Sequence, residues 1–246
     1  MKKTFTVILL FFLMAGTCLA ISPKAFFFFA SPITPPAASE YEDLSAYTEV
    51  DEESDFTIAS TQITADTYKF NHATSYLYKD FGEAYFGTDV EIQFELTVSA
   101  MVDSYGPCGI ISLTNDLGTS ADVAEGPEVR VNSQENSTHV ELWTGHGDYS
   151  ASVHMHNTHA ICVKYYCTLT TTYGADDTSA VKLGVYTDEA RTTLAGGDAP
   201  YGLEDVPEAH GSQTYRYLLV AQSARAATDE TESVSMVIDK IKIVSH

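Results

Sequence analysis

His139, Glu141 and Trp143 alternate along one short run, and His154 and His156 alternate along the next. On strands, a side-chain period of two puts each set on a single face. Val140 and Leu142 fill the gaps of the first run, and Ala151, Val153 and Met155 stand at core spacing in the second. Gly145, Gly147 and Asp148 mark a turn between them over residues 145–149. If both apolar sets face one core, the five polar and aromatic side chains share the opposite surface. Trp143 is the only tryptophan of the chain, and an indole flanked by hydrogen-bonding groups is a surface on which a sugar ring stacks. The chemistry expected here is glycan recognition, with stacking by Trp143 and hydrogen bonds from Glu141, His139, His154 and His156. The same residues admit a metal reading, because His154 and His156 on one strand face could share Zn²⁺ with Glu141 or His159. A plainer reading puts Trp143 under a loop and leaves the histidines on a wet face.

The elements that must position these residues are strands. Residues 76–100 carry the clearest pattern: Ile92, Phe94, Leu96 and Val98 alternate with Glu91, Gln93, Glu95, Thr97 and Ser99, the signature of a half-buried strand. Further strands are expected over 56–63, 67–71, 76–78, 90–100, 108–114, 128–132, 139–144, 151–156, 159–171, 180–187, 214–223 and 233–244. Turn residues separate them, among them Asn115-Asp116, Gly174-Ala175-Asp176-Asp177 and Gly196-Gly197-Asp198. No repeat and no convincing amphipathic helix interrupts the series. The expected fold is all-β, a two-sheet antiparallel sandwich or barrel.

The order of these features resembles the concanavalin A-like lectin/glucanase superfamily, a jelly roll of the laminin-G type found in secreted bacterial and phage-associated proteins. The resemblance rests on YTEVDEESDFTIASTQITADTY at 47–68, SYLYKDFGEAYFG at 75–87, VKLGVYTDEARTTL at 181–194, YRYLLVAQS at 215–223 and SVSMVIDKIKIV at 233–244. It covers roughly residues 41–244 and implies a jelly-roll β-sandwich with an open sheet face for glycans and often Ca²⁺ at the rim. Some glucanases of the superfamily carry their acid/base and nucleophile on a strand reading E-x-D-x-E, and Glu49, Asp51 and Glu53 repeat that spacing here. Glu52 and Ser54-Asp55 break the apolar context that such a strand needs, so a solvated acidic edge is the better reading. Acidic loops at Asp176-Asp177 and Asp188-Glu189 offer oxygen ligands for Ca²⁺ without an ordered ligand pattern. Asn136-Ser137-Thr138 is a glycosylation sequon.

Residues 1–20 read as a secretory signal, with Lys2 and Lys3 before an apolar run and small residues up to Ala20. Residues 21–40 read as a Pro-containing leader or linker, and 41–246 as the sandwich domain. The chain has 13 basic and 34 acidic residues, a net charge of −21, which loss of residues 1–20 would take to −23. Such charge repels nucleic acid and anionic lipid, which excludes both as partners. Membrane contact is expected only through an uncleaved N-terminus. Cys108, Cys162 and Cys167 would remain after processing; a bridge from Cys108 to one of the others and three free thiols both stay open. Cys162 and Cys167 are too oddly spaced on a strand to bridge each other. The expectation is a secreted or cell-surface, non-catalytic carbohydrate-binding module. A structural or adhesive protein-interaction module and a glycoside hydrolase are the alternatives.

Overall fold

The computed structural model describes residues 40–51, 54–69, 75–102, 108–118, 126–134, 137–146, 149–154, 162–172, 180–195, 201–204, 214–223 and 233–246. A single turn of 3-10 helix, Leu44–Ala46, precedes the strands β1 (Thr48–Val50), β2 (Phe56–Ile58), β3 (Gln62–Lys69) and β4 (Tyr76–Asp80). There follow β5 (Asp89–Val102), β6 (Cys108–Thr114), β7 (Gly126–Gln134), β8 (Ser137–His146) and β9 (Tyr149–His154). The series ends with β10 (Lys164–Thr172), β11 (Ala180–Tyr186), β12 (Tyr201–Glu204), β13 (Tyr217–Gln222) and β14 (Ser233–Ser245). One sheet has the order β1-β4-β13-β6-β7-β8-β9 and the other β12-β11-β10-β5-β14-β3-β2. The protein is an all-β, two-sheet antiparallel jelly-roll sandwich.

Alternation builds the core. In β5, Ile92, Phe94 and Leu96 are fully buried and Val98 nearly so. Val129, Val131, Val140 and Leu142 face them from the other sheet within one contiguous apolar cluster. At about 25 cal/mol per Å² of apolar surface, that core is the main favourable contribution to folding. The expected single strand over 56–63 is instead a hairpin. Ala59 donates to the Gln62 carbonyl at 2.7 Å, and Ile58 pairs with Ile63 across the turn. Cys108 and Cys167 are buried, Cys162 is exposed, and no disulfide joins any two of the three. Burial pushes the Cys167 thiol up to about 12, so it is inert at neutral pH. Among the described residues, no helix is long and apolar enough to cross a membrane.

Two irregularities decide what the first sheet presents on its outer face. The β6–β7 register shifts between Gly109 and Ile111, and both Ile110 and Ile111 are buried in the core. On β13, Ala221 adopts φ 54°, and it lies in the core together with Val220. These bulges re-aim the chain, so that Gln222 pairs with Gly109 and meets Ser112 through a short hydrogen bond to its side-chain oxygen. Ser112 is itself paired with Leu219, which packs with Tyr76, Val50, Tyr78 and Tyr217 in a second cluster outside the main core.

The second sheet is stitched by one carboxylate. Glu95 of β5 was expected on a wet face, yet it is only 3% exposed. Lys164 of β10 donates to its Oε2 at 2.5 Å and Lys240 of β14 to its Oε1 at 2.9 Å. Burial raises the Glu95 pKa, but the two lysine hydrogen bonds outweigh it and hold the carboxyl below its ordinary value. A depressed carboxylate contributes stability that is present above its unfolded pKa of about 4.3 and is lost as pH falls through the folded value. Glu95→Gln should therefore cost about 2 kcal/mol in urea unfolding at pH 7. The gap to the unsubstituted protein should narrow as the pH drops below about 4; a constant gap would show that the charge does not matter.

Candidate functional site

The buried charges among the described residues of the first sheet lie on β7 and β8. Register pairs Glu128 with Trp143, Arg130 with Glu141, and Asn132 with His139. In the sequence, Glu128-Val129-Arg130-Val131 alternates just as His139-Val140-Glu141-Leu142-Trp143 does. The valines and leucine enter the core, which puts Glu128, Arg130, His139, Glu141 and Trp143 together on the opposite face. His154 of β9 is the register partner of Glu141, and Ser152 that of Trp143. His156 and His159 lie outside the described residues.

This group is largely withdrawn from water. Glu128 is 1%, Glu141 4% and Arg130 6% exposed, while His139 and Trp143 are half-buried. Arg130 donates through Nε to Glu128 Oε2 at 2.5 Å, and its guanidinium lies 4.2 Å from the centroid of the Trp143 ring. One guanidinium thus carries an ion pair on its edge and an indole on its face, a combination that fixes its orientation. The indole is therefore not the bare stacking platform that the sequence suggested.

Gly109 makes room for the arrangement. A Cβ there would come within 2.5 Å of Glu128 Oε1 and within 2.9 Å of the Gln222 side chain, so side chains from β7 and β13 close over β6 only because residue 109 has none. Gln222 in turn donates to the Gly118 carbonyl at 3.2 Å, and its own carbonyl accepts a weak bond from the Cys108 thiol at 2.9 Å. Sequence reasoning missed Glu128, Arg130, Ser112 and Gln222. The charged alternation over 128–131 was the available signal for the first two; the bulges that deliver Gln222 left none.

The other candidate sites resolve into structural roles. Asp51 accepts the backbone N–H of Asp55 and of Phe56, both at 3.1 Å, so it caps the start of β2. Glu49 lies on β1, and Glu53 lies outside the described residues. Asp188 binds Thr192 N–H and Thr193 N–H and the Thr192 hydroxyl. Burial raises its pKa, and these bonds more than offset it. That carboxylate closes a turn instead of waiting for Ca²⁺; Asp176-Asp177 lies outside the described residues. Among the described residues, no group of three or more His, Cys, Asp or Glu side chains is placed to hold a metal ion.

The sequence matches no protein-family model and no curated protein. The fold does match solved structures. Alginate lyase Aly36B superposes with a TM-score of 0.54 at 11% identity, over 82% of this chain and 88% of that one. An endo-β-1,4-glucuronan lyase from Trichoderma reesei gives 0.54 at 13% identity, over 84% and 94%. An alginate lyase from Pseudomonas aeruginosa gives 0.53 at 9% identity, over 80% and 88%. At such identities the likeness establishes the jelly-roll fold. It also corrects the expected function. The three structures just named are lyases, and the face with Trp143 holds buried, oriented charge where a binding module would expose an aromatic platform. The non-catalytic module is accordingly set aside.

Because Trp143 is the only tryptophan, its fluorescence reports on this site alone. Arg130→Ala should shift the emission to longer wavelength as water replaces the guanidinium. An unchanged spectrum in a folded variant would show that the stack does not form in solution. Gly109→Ala should destabilise the protein by about 1–3 kcal/mol, the usual cost of overpacking, read as a lower urea midpoint, and should perturb the same emission.

Proposed function

We propose that this chain is an exported polysaccharide-cleaving enzyme of the lyase type, acting on uronate-containing glycans across the outer face of the first sheet. The observation that carries the reading is the buried set Glu128, Arg130 and Glu141 beside Trp143. Withdrawing three charges from water is costly, and on an outer sheet face apolar residues would serve stability as well. Oriented charge held at such a cost makes this face the candidate site. Three lyases that share the fold, named for alginate and glucuronan, support the substrate class, and the concanavalin A-like kinship read from the sequence is part of the same picture.

In this reading Arg130 receives the carboxylate of a uronate unit, and Glu128 and Trp143 keep its guanidinium in place. Pairing with a cation makes the C–H bond next to that carboxylate more acidic. His139, half-buried on the same face, takes the proton. The electrons of the C5–H bond form a C4–C5 double bond, the C4–O bond breaks, and the departing sugar oxygen takes a proton from water, to which His139 later returns its own. A second reading, hydrolysis, is favoured by one feature: Glu128 and Glu141 are two buried carboxylates on neighbouring strands, the pair that glycoside hydrolysis requires.

Incubation with polyglucuronate, alginate and a neutral β-glucan separates these readings. Elimination yields reducing ends together with the ultraviolet absorbance of a conjugated uronate, whereas hydrolysis yields reducing ends alone. Arg130→Lys should lower kcat/KM on a polyuronate by about 10²-fold or more. The chain carries a net charge of −21, so a polyanionic substrate is repelled at long range. Turnover at low substrate should therefore rise as salt is raised to about 0.15 M, where the screening length falls to about 8 Å. Cleavage of none of the three polymers would end the proposal.

A further inference from the structure

The outer face of the second sheet holds a cleft of about 200 Å³ lined by Gln93, Glu95, Glu189, Arg191, Lys240 and Lys242, among others. Four of the chain's 13 basic residues gather there, Lys164 included. Three of them are paired with carboxylates: Lys164 and Lys240 share Glu95, and Lys242 meets Glu40 at 2.6 Å. Arg191 is not. Its Nη1 donates to the Glu189 carbonyl at 3.2 Å, while its Nε is buried and meets no acceptor among the described residues. The guanidinium stands 5.9 Å from the centroid of the Tyr166 ring, and no carboxylate among the described residues pairs with it.

The backbone holds it there against its own preference. Arg191 adopts φ 54°, a left-handed conformation that side chains with a Cβ enter only at a cost. The turn that enforces it is built from the Asp188 carboxylate and the Arg191 N–H, which donates to the Asp188 carbonyl at 3.0 Å. Beside it the sheet is shaped by aromatics. Tyr186 leans over Gly184, where a Cβ would come within 2.6 Å of the ring, and Tyr186 pairs in register with Tyr166.

Strain and an unsatisfied buried donor thus coincide at one cationic residue that lines a cleft. A guanidinium edge of this kind matches a carboxylate. The volume is below the roughly 300–1,000 Å³ of pockets for drug-sized ligands, so it suits a small anion or one sugar unit and not a chain. We propose that this cleft binds a small carboxylate, with the Arg191 guanidinium as its hydrogen-bonding partner and the paired lysines Lys240 and Lys242 at its border. The site stands on the sheet opposite to Arg130 and does not depend on the proposed cleavage activity.

The test is thermal shift and calorimetric titration of the full chain with sodium acetate, sodium D-glucuronate and sodium sulfate, each against sodium chloride at equal ionic strength. Acetate or glucuronate should raise the melting temperature saturably in the unsubstituted protein and in Arg130→Gln. Arg191→Asn should weaken that binding by about tenfold or more. Without ligand, the same variant should melt at least as high as the unsubstituted protein, because asparagine tolerates the left-handed region and carries no buried guanidinium. Equal binding of acetate and glucuronate means that only the carboxylate is read, and stronger binding of glucuronate means that the ring is read too; both sustain the proposal. It is overturned if neither carboxylate binds, if sulfate alone binds, or if binding survives in Arg191→Asn and is lost in Arg130→Gln.

Discussion

Strand alternation governs this molecule. Each strand gives every second residue to the apolar core between the sheets, and whatever stands between those residues is committed to an outer face. A sandwich of two seven-stranded sheets therefore has two outer faces whose character follows from the core pattern, except where a bulge changes the phase. On the first sheet the phase changes at Gly109–Ile111 and at Ala221. On one side of that line the outer face is aromatic and apolar, with Tyr76, Tyr78, Tyr217 and Leu219. On the other it is charged, with Glu128, Arg130 and Glu141. The bulges join the two halves by turning Gln222 and Ser112 toward each other.

Both sheets bury charge, but in different ways. Glu95 has a lysine on each oxygen, and those lysines keep about a third or more of their surface in water. Its desolvation is offset by those two bonds, which tie three strands together, so the group acts as a rivet. The set around Arg130 is drier: the two side chains of its ion pair are 8% and 2% exposed, and the second carboxylate, Glu141, is buried as well. Paired burial of this depth contributes little net stability. What it supplies is orientation, since a guanidinium held by Glu128 and Trp143 cannot swing away from an incoming group.

Most of the fold was legible because alternation is strong in β5, β10 and β14, where consecutive core residues belong to one long run. The misses have local causes. β1 and β12, of three and four residues, are too short for a period to show. The turn at residues 59–61 is Ala-Ser-Thr, without the glycine, proline, asparagine or aspartate that usually marks one. The candidate site was half legible. The shared face of His139, Glu141 and Trp143 follows from spacing, and so does the face of Glu128 and Arg130. Their meeting depends on register between β7 and β8, and the space for it depends on a glycine two strands away in sequence order. Neither is written in a single strand's pattern. Asp51 and Asp188 show the converse case: acidic residues that invite a catalytic or Ca²⁺ reading in sequence are consumed by backbone N–H groups at turns.

The charge imbalance gives these placements their meaning. With 34 acidic and 13 basic residues, nearly any cation at the surface will find a carboxylate, and the described ones do so repeatedly. Lys79 pairs with Glu42, Arg216 with Asp80, Lys242 with Glu40, and Glu95 takes two lysines. Such pairs are weak individually and form readily when acids are abundant. The informative cations are therefore those whose surroundings do more than neutralise them. Arg130 is one, because an indole face and deep burial are added to its carboxylate. Arg191 is the other, because a strained turn holds it over a tyrosine without a carboxylate although acids surround it. In an acid-rich chain, a guanidinium kept from its own carboxylates remains available for one that comes from outside.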